Sequence, residues 1–510
     1  MHNRRRTSLR TMVKGELLLG VDIGTASSKA VLARPGGEVV ASAQREHSLS
    51  LPRPGWAEHD AEGIWWADFL GLCQELLLQA EGGVAAVCVS GIGACFLAAD
   101  AAGRPLRPAI LYGIDTRAEY EIRELNDRYG KESLLSRCGS ILTTQAIGPK
   151  ILWLRRNESE IWERTEKLFM VNSFIAHRLT GEYVLDHHSA SQCDPLYDVH
   201  ENGWITEWAE QIAPGLSLPR LMWPAEVVGI VTAGAAEVTG LSAGTPVVIG
   251  TIDAWSEAAS VGVQHPGDLM LMYGTTMFMI EVLDRPLSDP GLWGTTGVLP
   301  GTHNLAGGMA TSGAITAWLR DISGHMSYED LVAEAASVRP GSDALVILPY
   351  FAGERTPLFD ASARGLMLGL TLSHGRGHLY RAVLEATAYG VRHILETMAE
   401  AGGKSERLVA VGGGTKGGLW TQIVSDVTGR RQLLPQYTIG AAYGDTLLAA
   451  RAVGLAAPEE DWSTVVATVE PNPANRSLYD ELYAVYRDLY PATLEQAHSL
   501  ARLQKAAPDV

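Results

Sequence analysis

Residues Glu16 to Ala33 read ELLLGVDIGTASSKAVLA. The run predicts an apolar strand ending in Asp22-Ile23-Gly24-Thr25, a tight hydroxyl-rich turn through Ala26-Ser27-Ser28, and a second apolar strand from Ala30. A glycine at such a hairpin lets the backbone approach an anion. The turn amides and the Thr25, Ser27 and Ser28 hydroxyls can then donate to phosphate oxygens. Asp22, just before the turn, suits an outer ligand of Mg²⁺, which keeps most of its waters and bridges phosphates. An ordinary hairpin with Asp22 as a turn residue reads the same letters. A second copy favours the phosphate reading. Asp268 to Val282, DLMLMYGTTMFMIEV, again runs strand, Gly274-Thr275-Thr276, strand, about half a chain later. Two related hairpins, one from each half, would hold a phosphate between them.

Outward from these hairpins, 510 residues exceed one core and predict two domains of roughly 250 residues. The boundary is placed near Val263, giving domains 16–262 and 263–490, with 1–15 as a disordered extension and 491–510 as a C-terminal tail. Charged residues at 19% and hydrophobic ones at 46% describe a globular chain. A net charge of −17 disfavours nucleic acid and anionic membrane as partners, since either would meet a repulsive field, and a nucleotide would need local donors and a metal. The five cysteines form no zinc-type pair and fit buried thiols of a reducing cytoplasm. No run reaches the roughly 20 apolar residues of a membrane helix. The start of the chain, with Arg4-Arg5-Arg6, lacks the apolar core of a secretion signal.

In the first half, a third strand is expected over Glu38 to Arg45, and Asp60 as N-cap of a helix Ala61 to Gln79. Strand Val84 to Val89 runs into Ser90-Gly91-Ile92-Gly93, but Phe96 stands where a dinucleotide fingerprint needs its third glycine and no helical run follows. Asp115 and Arg117 in YGIDTRA read either as a hydroxyl-binding pair or as a surface ion pair. His187-His188 beside Asp186 lack a third metal ligand at helical spacing and are expected in a solvated loop. After strand Pro246 to Gly250, Asp253 lies at the N-terminus of a small-residue helix. It is either an N-cap or a general base kept ionised by the helix dipole.

In the second half, Ala306 to Leu319 reads as a Gly-rich turn into a helix, and Gly377 to Glu400 as a long amphipathic helix. Strand Leu408 to Val411 enters Gly412-Gly413-Gly414-Thr415-Lys416-Gly417-Gly418, where missing side chains would let a base and ribose lie against backbone. No GxxxxGK[ST] loop exists, so a nucleotide site must be of another kind. Gly440 to Asp445 opens what reads as the last well-formed helix.

Taken together the chain from Leu17 to about Leu489 resembles the FGGY carbohydrate kinases. The runs that carry this are DIGTASSKA from Asp22, PGWAEHD from Pro54, GTIDA from Gly250, YGTT from Tyr273, GERTP from Gly353, GGGTKGGLWTQIVSDVTG from Gly412, and above all GLMLGLTLSHGRGHLYRAVLE, Gly365 to Glu385. The resemblance implies an α/β chain of two ribonuclease-H-like domains of the actin and hexokinase type, an inter-domain cleft, and ATP-dependent phosphorylation of a sugar hydroxyl. It implies Asp253 as catalytic base and Asp22 as ligand to Mg²⁺ and its waters. Gly24, Thr25, Ser27, Lys29, Gly274, Thr275, Thr276, Ser312 and Gly313 would surround the phosphates, with Gly412, Gly413, Gly414, Thr415 and Gln422 on the adenosine side. Ala94, Cys95, Asp115, Arg117 and Gln145 would join Asp253 around the sugar.

Among subfamilies the chain looks most like xylulose kinases, with ribulose and erythritol as alternative acceptors. Gly93-Ala94 replaces the Met-His pair of xylulose kinases and the Arg-Glu pair of glycerol kinases, and Ala254 follows the base where xylulose kinases commonly have Asn. These departures leave the reaction class intact and bear on the sugar; loss of charged donors disfavours glycerol. Two rivals of the same fold are disfavoured: a chaperone or filament ATPase, since only a short tail follows Leu489 where chaperones carry a β-rich peptide domain, and a silent sugar sensor, since Asp22, Thr25, Asp253 and Gly412 to Gly414 are intact. A homodimer is the expected assembly.

Overall fold

Leu17–Ile23 (β1) and Ser27–Ala33 (β2) pair antiparallel about the first Gly-Thr turn, with Asp22 opposite Lys29. This is a computed structural model, and it describes residues 16–506. The expected disordered extension, residues 1–15, lies outside the described residues. Val39–Glu46 (β3) pairs antiparallel with β2, and Val84–Gly91 (β4) runs parallel to β1 on its other side. Val227–Ile230 (β5) and Pro246–Val248 (β6) complete a sheet ordered β5-β6-β4-β1-β2-β3. The second half builds Asp268–Tyr273 (β7), Met277–Leu283 (β8), Trp293–Thr296 (β9), His303–Met309 (β10), Arg407–Val411 (β11), Gln432–Pro435 (β12) and Val465–Val469 (β13). They are ordered β9-β10-β8-β7-β11-β12-β13.

The run β10-β8-β7-β11-β12 repeats β3-β2-β1-β4-β6 strand for strand. Each has two antiparallel pairings on one side of the central hairpin and two parallel ones on the other. The two Gly-Thr turns are therefore equivalent corners of one sheet built twice.

Strand alternation decides what each face meets. Leu17, Leu19, Val21 and Ile23 join the core formed with Ala67–Leu77 (α1) and Val171–Thr180 (α2). Leu18 and Gly20 face the other way, and Asp22 shares their parity. That second face of β1 is covered by Ala441–Ala452, a helix from the second half, whose Ala442, Leu447 and Leu448 share a core with Leu18, Val31 and Cys88. Gly20 makes the close crossing possible, since a Cβ there would lie 2.0 Å from the Ala442 carbonyl. The arrangement is reciprocal. Asp253–Ser260 (α3), from the first half, sets Trp255 and Ala258 against Met270, Ile280 and Val409 of the second sheet.

Residues between Ala94 and Ala213 form a further core beside the first sheet, around Phe96, Ile147, Ile151, Tyr197 and Trp208. The second sheet is backed by Arg376–Glu400 (α4) and Leu419–Thr428 (α5); the helix Ala441–Ala452 is α6. The Gly365 to Glu385 run ends in a buried network. Glu385 accepts from Gly341 N at 2.8 Å, Ser342 Oγ at 2.7 Å, Arg381 Nε at 2.9 Å and Tyr479 OH at 2.9 Å.

Several expectations differ from the structure. Of the expected tail, residues 491–506 belong to a helix, Arg476–Ala506 (α7), and 507–510 lie outside the described residues; α6 is therefore not the last well-formed helix. Tyr479, Tyr483 and Tyr486 bury along it at helical spacing, and Tyr490 and His498 both bond Asp360. Asp60 caps as expected, accepting from Glu62 N at 3.0 Å, but Ala61–Trp66 is a π-turn before α1. Ala306-Gly307-Gly308-Met309 is strand rather than turn, and its helix begins at Gly313. The Asp186 to His188 stretch is no solvated loop. His188 is fully buried, its ring 4.0 Å from that of Trp255 and its Nδ1 bonding Thr296 O at 2.7 Å.

Candidate active site

The first phosphate-type hairpin is held from behind by histidines. His47 Nδ1 lies 2.8 Å from Asp68 Oδ2 and its Nε2 3.1 Å from Gly24 O. Both partners accept, so both ring nitrogens carry protons. Burial opposes that charge, yet the Asp68 carboxylate holds the His47 pKa above its usual value. Trp65 Nε1 donates to His59 Nδ1 at 3.2 Å, which leaves Nε2–H to donate to Thr25 O at 3.1 Å. His59 is accordingly neutral, pushed down to about 4 by burial and the neighbouring His47 charge. With their carbonyls engaged, the Thr25 and Ala26 amides donate to no protein acceptor among the described residues. Ser28 is a correction, because its hydroxyl turns away to donate to Asp68 at 2.7 Å. Thr25 Oγ1 meets Tyr112 OH at 3.0 Å, and Ser27 stays half-buried.

The second hairpin repeats the device with different parts. Gly313 N donates to Gly274 O at 3.0 Å, and the Ser312 and Ala314 amides donate to Thr275 O at 3.1 and 3.0 Å. Ser312 and Gly313 thus brace this hairpin through their backbone. The Thr275 and Thr276 amides again lack protein acceptors among the described residues. Register places Val411 beside Met272, so the Gly412 loop leaves its sheet at the same end as the Gly274 turn. Gly412, at φ +94°, lies against the Tyr273 backbone, while Gly413 is open. Thr415 Oγ1 bonds back to Gly412 O, and Gln422 Nε2 donates to Asp426 and to Glu470 O.

Between the hairpins lies a cavity of about 330 Å³ lined from both halves, by Asp22, Lys29, Tyr112, Gln145, Asp253 and Glu257 from the first and by Thr276, Trp293, Thr295 and Arg355 from the second. Asp253 is the first residue of α3, its Oδ1 accepting from Ala254 N at 2.7 Å. The sharp entry from β6 needs Gly250, at φ +64°, where a Cβ would lie 2.0 Å from Val89 O. Asp22 receives Ser90 Oγ at 3.4 Å.

Burial pushes the Asp22 pKa up to about 6, with Lys29 and Ser90 pulling the other way. Asp253 lies well above the usual carboxylate value through burial and the adjacent Asp22 charge. Glu257, one turn along α3, is raised to about 7 by burial and by Asp22. These three half-buried carboxylates in one cavity are a demand for positive charge. Among the described residues no cluster of three His, Cys, Asp or Glu could cage a metal. Asp22, a hard carboxylate beside the first Gly-Thr turn, fits a mostly hydrated divalent cation.

A fourth carboxylate, Asp445 of α6, escaped the sequence reading. It accepts from Ser90 N at 3.0 Å, Ser90 Oγ at 2.7 Å and Ser256 Oγ at 2.6 Å, tying α6 to β4 and α3.

Not every expected sugar contact faces the cavity. Ala94 and Cys95 are fully buried, and Cys95 Sγ donates to Ile92 O at 3.5 Å. Asp115 and Arg117 form a closed network, which corrects both readings offered for them. Arg117 Nη2 donates to Asp115 at 2.7 Å and Nη1 to Glu58 at 2.8 Å, its guanidinium lies 3.9 Å over Trp56, and Asp115 also accepts from Ala57 N at 2.7 Å. Trp56 and Glu58 of PGWAEHD thus absorb Arg117 from another segment of the chain. Gln145 does line the cavity.

Two doubled sheets closing over a carboxylate-lined cleft define a class, the actin- and hexokinase-type phosphotransferases. Residues 17–262 match the N-terminal domain of the FGGY family of carbohydrate kinases and residues 269–453 its C-terminal domain. Xylulose kinase of Escherichia coli strain K12 is 30% identical over 460 residues, covering 87% of this chain and 91% of its own. Glycerol kinase of Nocardia farcinica is 32% identical over 457 residues, 85% of this chain and 89% of its own. The crystal structure of xylulose kinase from Rhodospirillum rubrum superimposes with a TM-score of 0.87 at 32% identity, covering 94% of this chain and 100% of that one. The chain belongs to the FGGY family of carbohydrate kinases. As such it is an ATP-dependent enzyme that phosphorylates a small sugar with the help of a divalent metal. No helix among the described residues is long and apolar enough to cross a membrane.

Proposed function

We propose that this kinase transfers the γ-phosphoryl group of MgATP to the terminal hydroxyl of a small ketose, D-xylulose, giving xylulose 5-phosphate. The observation that carries the reading is that Asp253 and Asp22 line one cavity together with Lys29 and Thr276 of the two hairpins. The sugar identity is supported by the relatives named xylulose kinase. Asp253 accepts the proton of the acceptor hydroxyl as its oxygen bonds to the γ-phosphorus and the bridging oxygen leaves with ADP. The Thr25, Ala26, Thr275 and Thr276 amides donate to phosphate oxygens, and Lys29 adds fixed charge. Asp22 would hold a divalent cation such as Mg²⁺ through its waters, and that ion would supply charge to offset that of the transferring group. Residues 16–262 thus supply base and sugar site, and 263–490 the nucleotide side around Gly412 to Thr415. Five buried, unpaired cysteines support a cytoplasmic location.

The test is ADP release with D-xylulose, D-ribulose, erythritol and glycerol for the wild type and for Asp253→Asn. The substitution is expected to lower kcat by about 10²- to 10⁴-fold while nucleotide binding persists. Near-normal turnover by the variant would remove Asp253 from the role of base.

A further inference from the structure

Three residues that line the cavity each carry a buried polar atom with no hydrogen-bond partner among the described residues: Asp194 Oδ1, Trp293 Nε1 and Thr295 Oγ1. Buried polar groups are nearly always satisfied, so three orphans on residues of one cavity wall call for an explanation. Asp194 is 7% exposed and Thr295 6%. They come from different halves of the chain, Asp194 from the segment after His188 and the other two from β9 at the edge of the second sheet. Their separation is fixed, because β9 is stitched to the first half. Gly294 N donates to Gly139 O at 3.2 Å, Ser140 Oγ donates to Gly294 O at 3.3 Å, and Thr296 N donates to Ser191 Oγ at 3.2 Å.

The neighbouring amides are largely occupied. Gln145 Nε2 donates to Gly93 O and to Gln192 Oε1, both at 3.0 Å, and its Oε1 accepts from Gly113 N at 3.2 Å. His188 donates through Nδ1 to Thr296 O, so its Nε2 accepts from Gln192 Nε2 at 3.1 Å. The unspent capacity is therefore one carboxyl, one indole N–H and one hydroxyl. A polyol hydroxyl donates to the first, accepts from the second and does either with the third. Among the described residues no cation faces Asp194, whose pKa is pushed well above the usual carboxylate value by burial alone. The cations on the cavity wall, Lys29 and Arg355, act on Asp22 and Tyr112 instead, so a ligand carboxylate beside Asp194 would find a like group.

We propose that Asp194, Trp293 and Thr295 form the hydroxyl-reading end of the acceptor site, so that the enzyme takes a neutral ketose or polyol and rejects an aldonate. The inference rests on the kinase reading above and adds the side chains that set its specificity. The experiment is steady-state ADP release by the wild type, Asp194→Asn and Thr295→Val with D-xylulose, D-ribulose, erythritol and D-gluconate. Sugar-induced shifts in thermal unfolding, measured without ATP, give a second readout.

The wild type is expected to prefer the neutral acceptors over gluconate. Each variant should raise KM for its best neutral acceptor by about 10- to 100-fold, with most of the loss in KM rather than kcat. Both variants should shrink the sugar-induced unfolding shift, and Asp194→Asn should narrow the preference over gluconate. Thr295→Val keeps its shape and carries the test should Asp194→Asn fail to fold. KM values within twofold of wild type in a folded variant, or a wild type that prefers gluconate, would overturn the inference while leaving the kinase reading intact. A wild type silent on every acceptor would remove both.

Discussion

Replacing Asp445 with Ala tests whether the contact between the halves depends on one buried carboxyl. Asp445 is wholly buried and takes three donors, the Ser90 amide and hydroxyl and the Ser256 hydroxyl. Ala strands the Ser90 amide outright and leaves the two hydroxyls only longer contacts, Ser256 Oγ to Ala441 O at 3.1 Å and Ser90 Oγ to Asp22 at 3.4 Å. With about 1–3 kcal/mol for the stranded amide and up to about 1 kcal/mol for each weakened hydroxyl bond, the loss of stability is on the order of 2–4 kcal/mol. Asp445→Asn keeps the shape. Its carbonyl can take the Ser90 donors, and its amide can donate to Ser256 Oγ, whose own proton is then free for Ala441 O at 3.1 Å. Burial pushes the Asp445 pKa well above the usual carboxylate value. The folded state therefore binds a proton that the unfolded chain releases, and wild-type stability falls as pH rises above the unfolded value. Asn escapes that loss and should gain on the wild type with increasing pH. Urea unfolding followed by tryptophan fluorescence reads the midpoints, and kcat reports whether α3 still presents Asp253. An Ala variant within about 1 kcal/mol of wild type, or an Asn variant as damaged as Ala, would refute the reasoning.

Two further outcomes follow from the site. Because the carboxyl cluster titrates high, with Asp22 at about 6, Glu257 at about 7 and Asp253 well above its usual value, kcat/KM should fall with decreasing pH from near neutrality rather than near pH 4. Raising the divalent metal concentration should move that acid limb to lower pH, and a profile flat down to about pH 5 would contradict the assignment of Asp253 as base. Gly444→Ala would place a Cβ 1.9 Å from Ser256 O, so α3 and α6 must separate. A destabilisation of about 1–3 kcal/mol or more is expected, with reduced kcat, read by thermal unfolding and ADP release.

What the sequence disclosed tracks how local each signal is. Both Gly-Thr hairpins, the strand before Asp253 and the Gly412 loop are contiguous runs whose chemistry is carried by neighbouring letters. Asp445 is different, since its partner Ser90 lies 355 positions away and the surrounding AAYGDTL reads only as small-residue packing. Asp194, Trp293 and Thr295 are likewise joined by tertiary structure alone. Glu257 was within reach, because four residues beyond Asp253 on a helix is the same face. Arg117 was misread because the glutamate and tryptophan that absorb it stand near position 57, on another segment. The length of α7 was legible in Tyr479, Tyr483, Tyr486 and Tyr490, spaced as a helical stripe.

The reciprocal cover of the two sheets, α6 on the first and α3 on the second, limits how the enzyme can open. Neither half could be pulled straight off without baring the apolar face that the other's helix protects. A second seam, β9 bonded to Gly139 and Ser191, holds the halves on the sugar side, so any breathing of the crevice must keep both this seam and the contact where Gly444 meets Ser256 or break one of them. Asp253 rides on one of the crossed helices and Asp445 on the other, so a motion that keeps their contact keeps the carboxylates together.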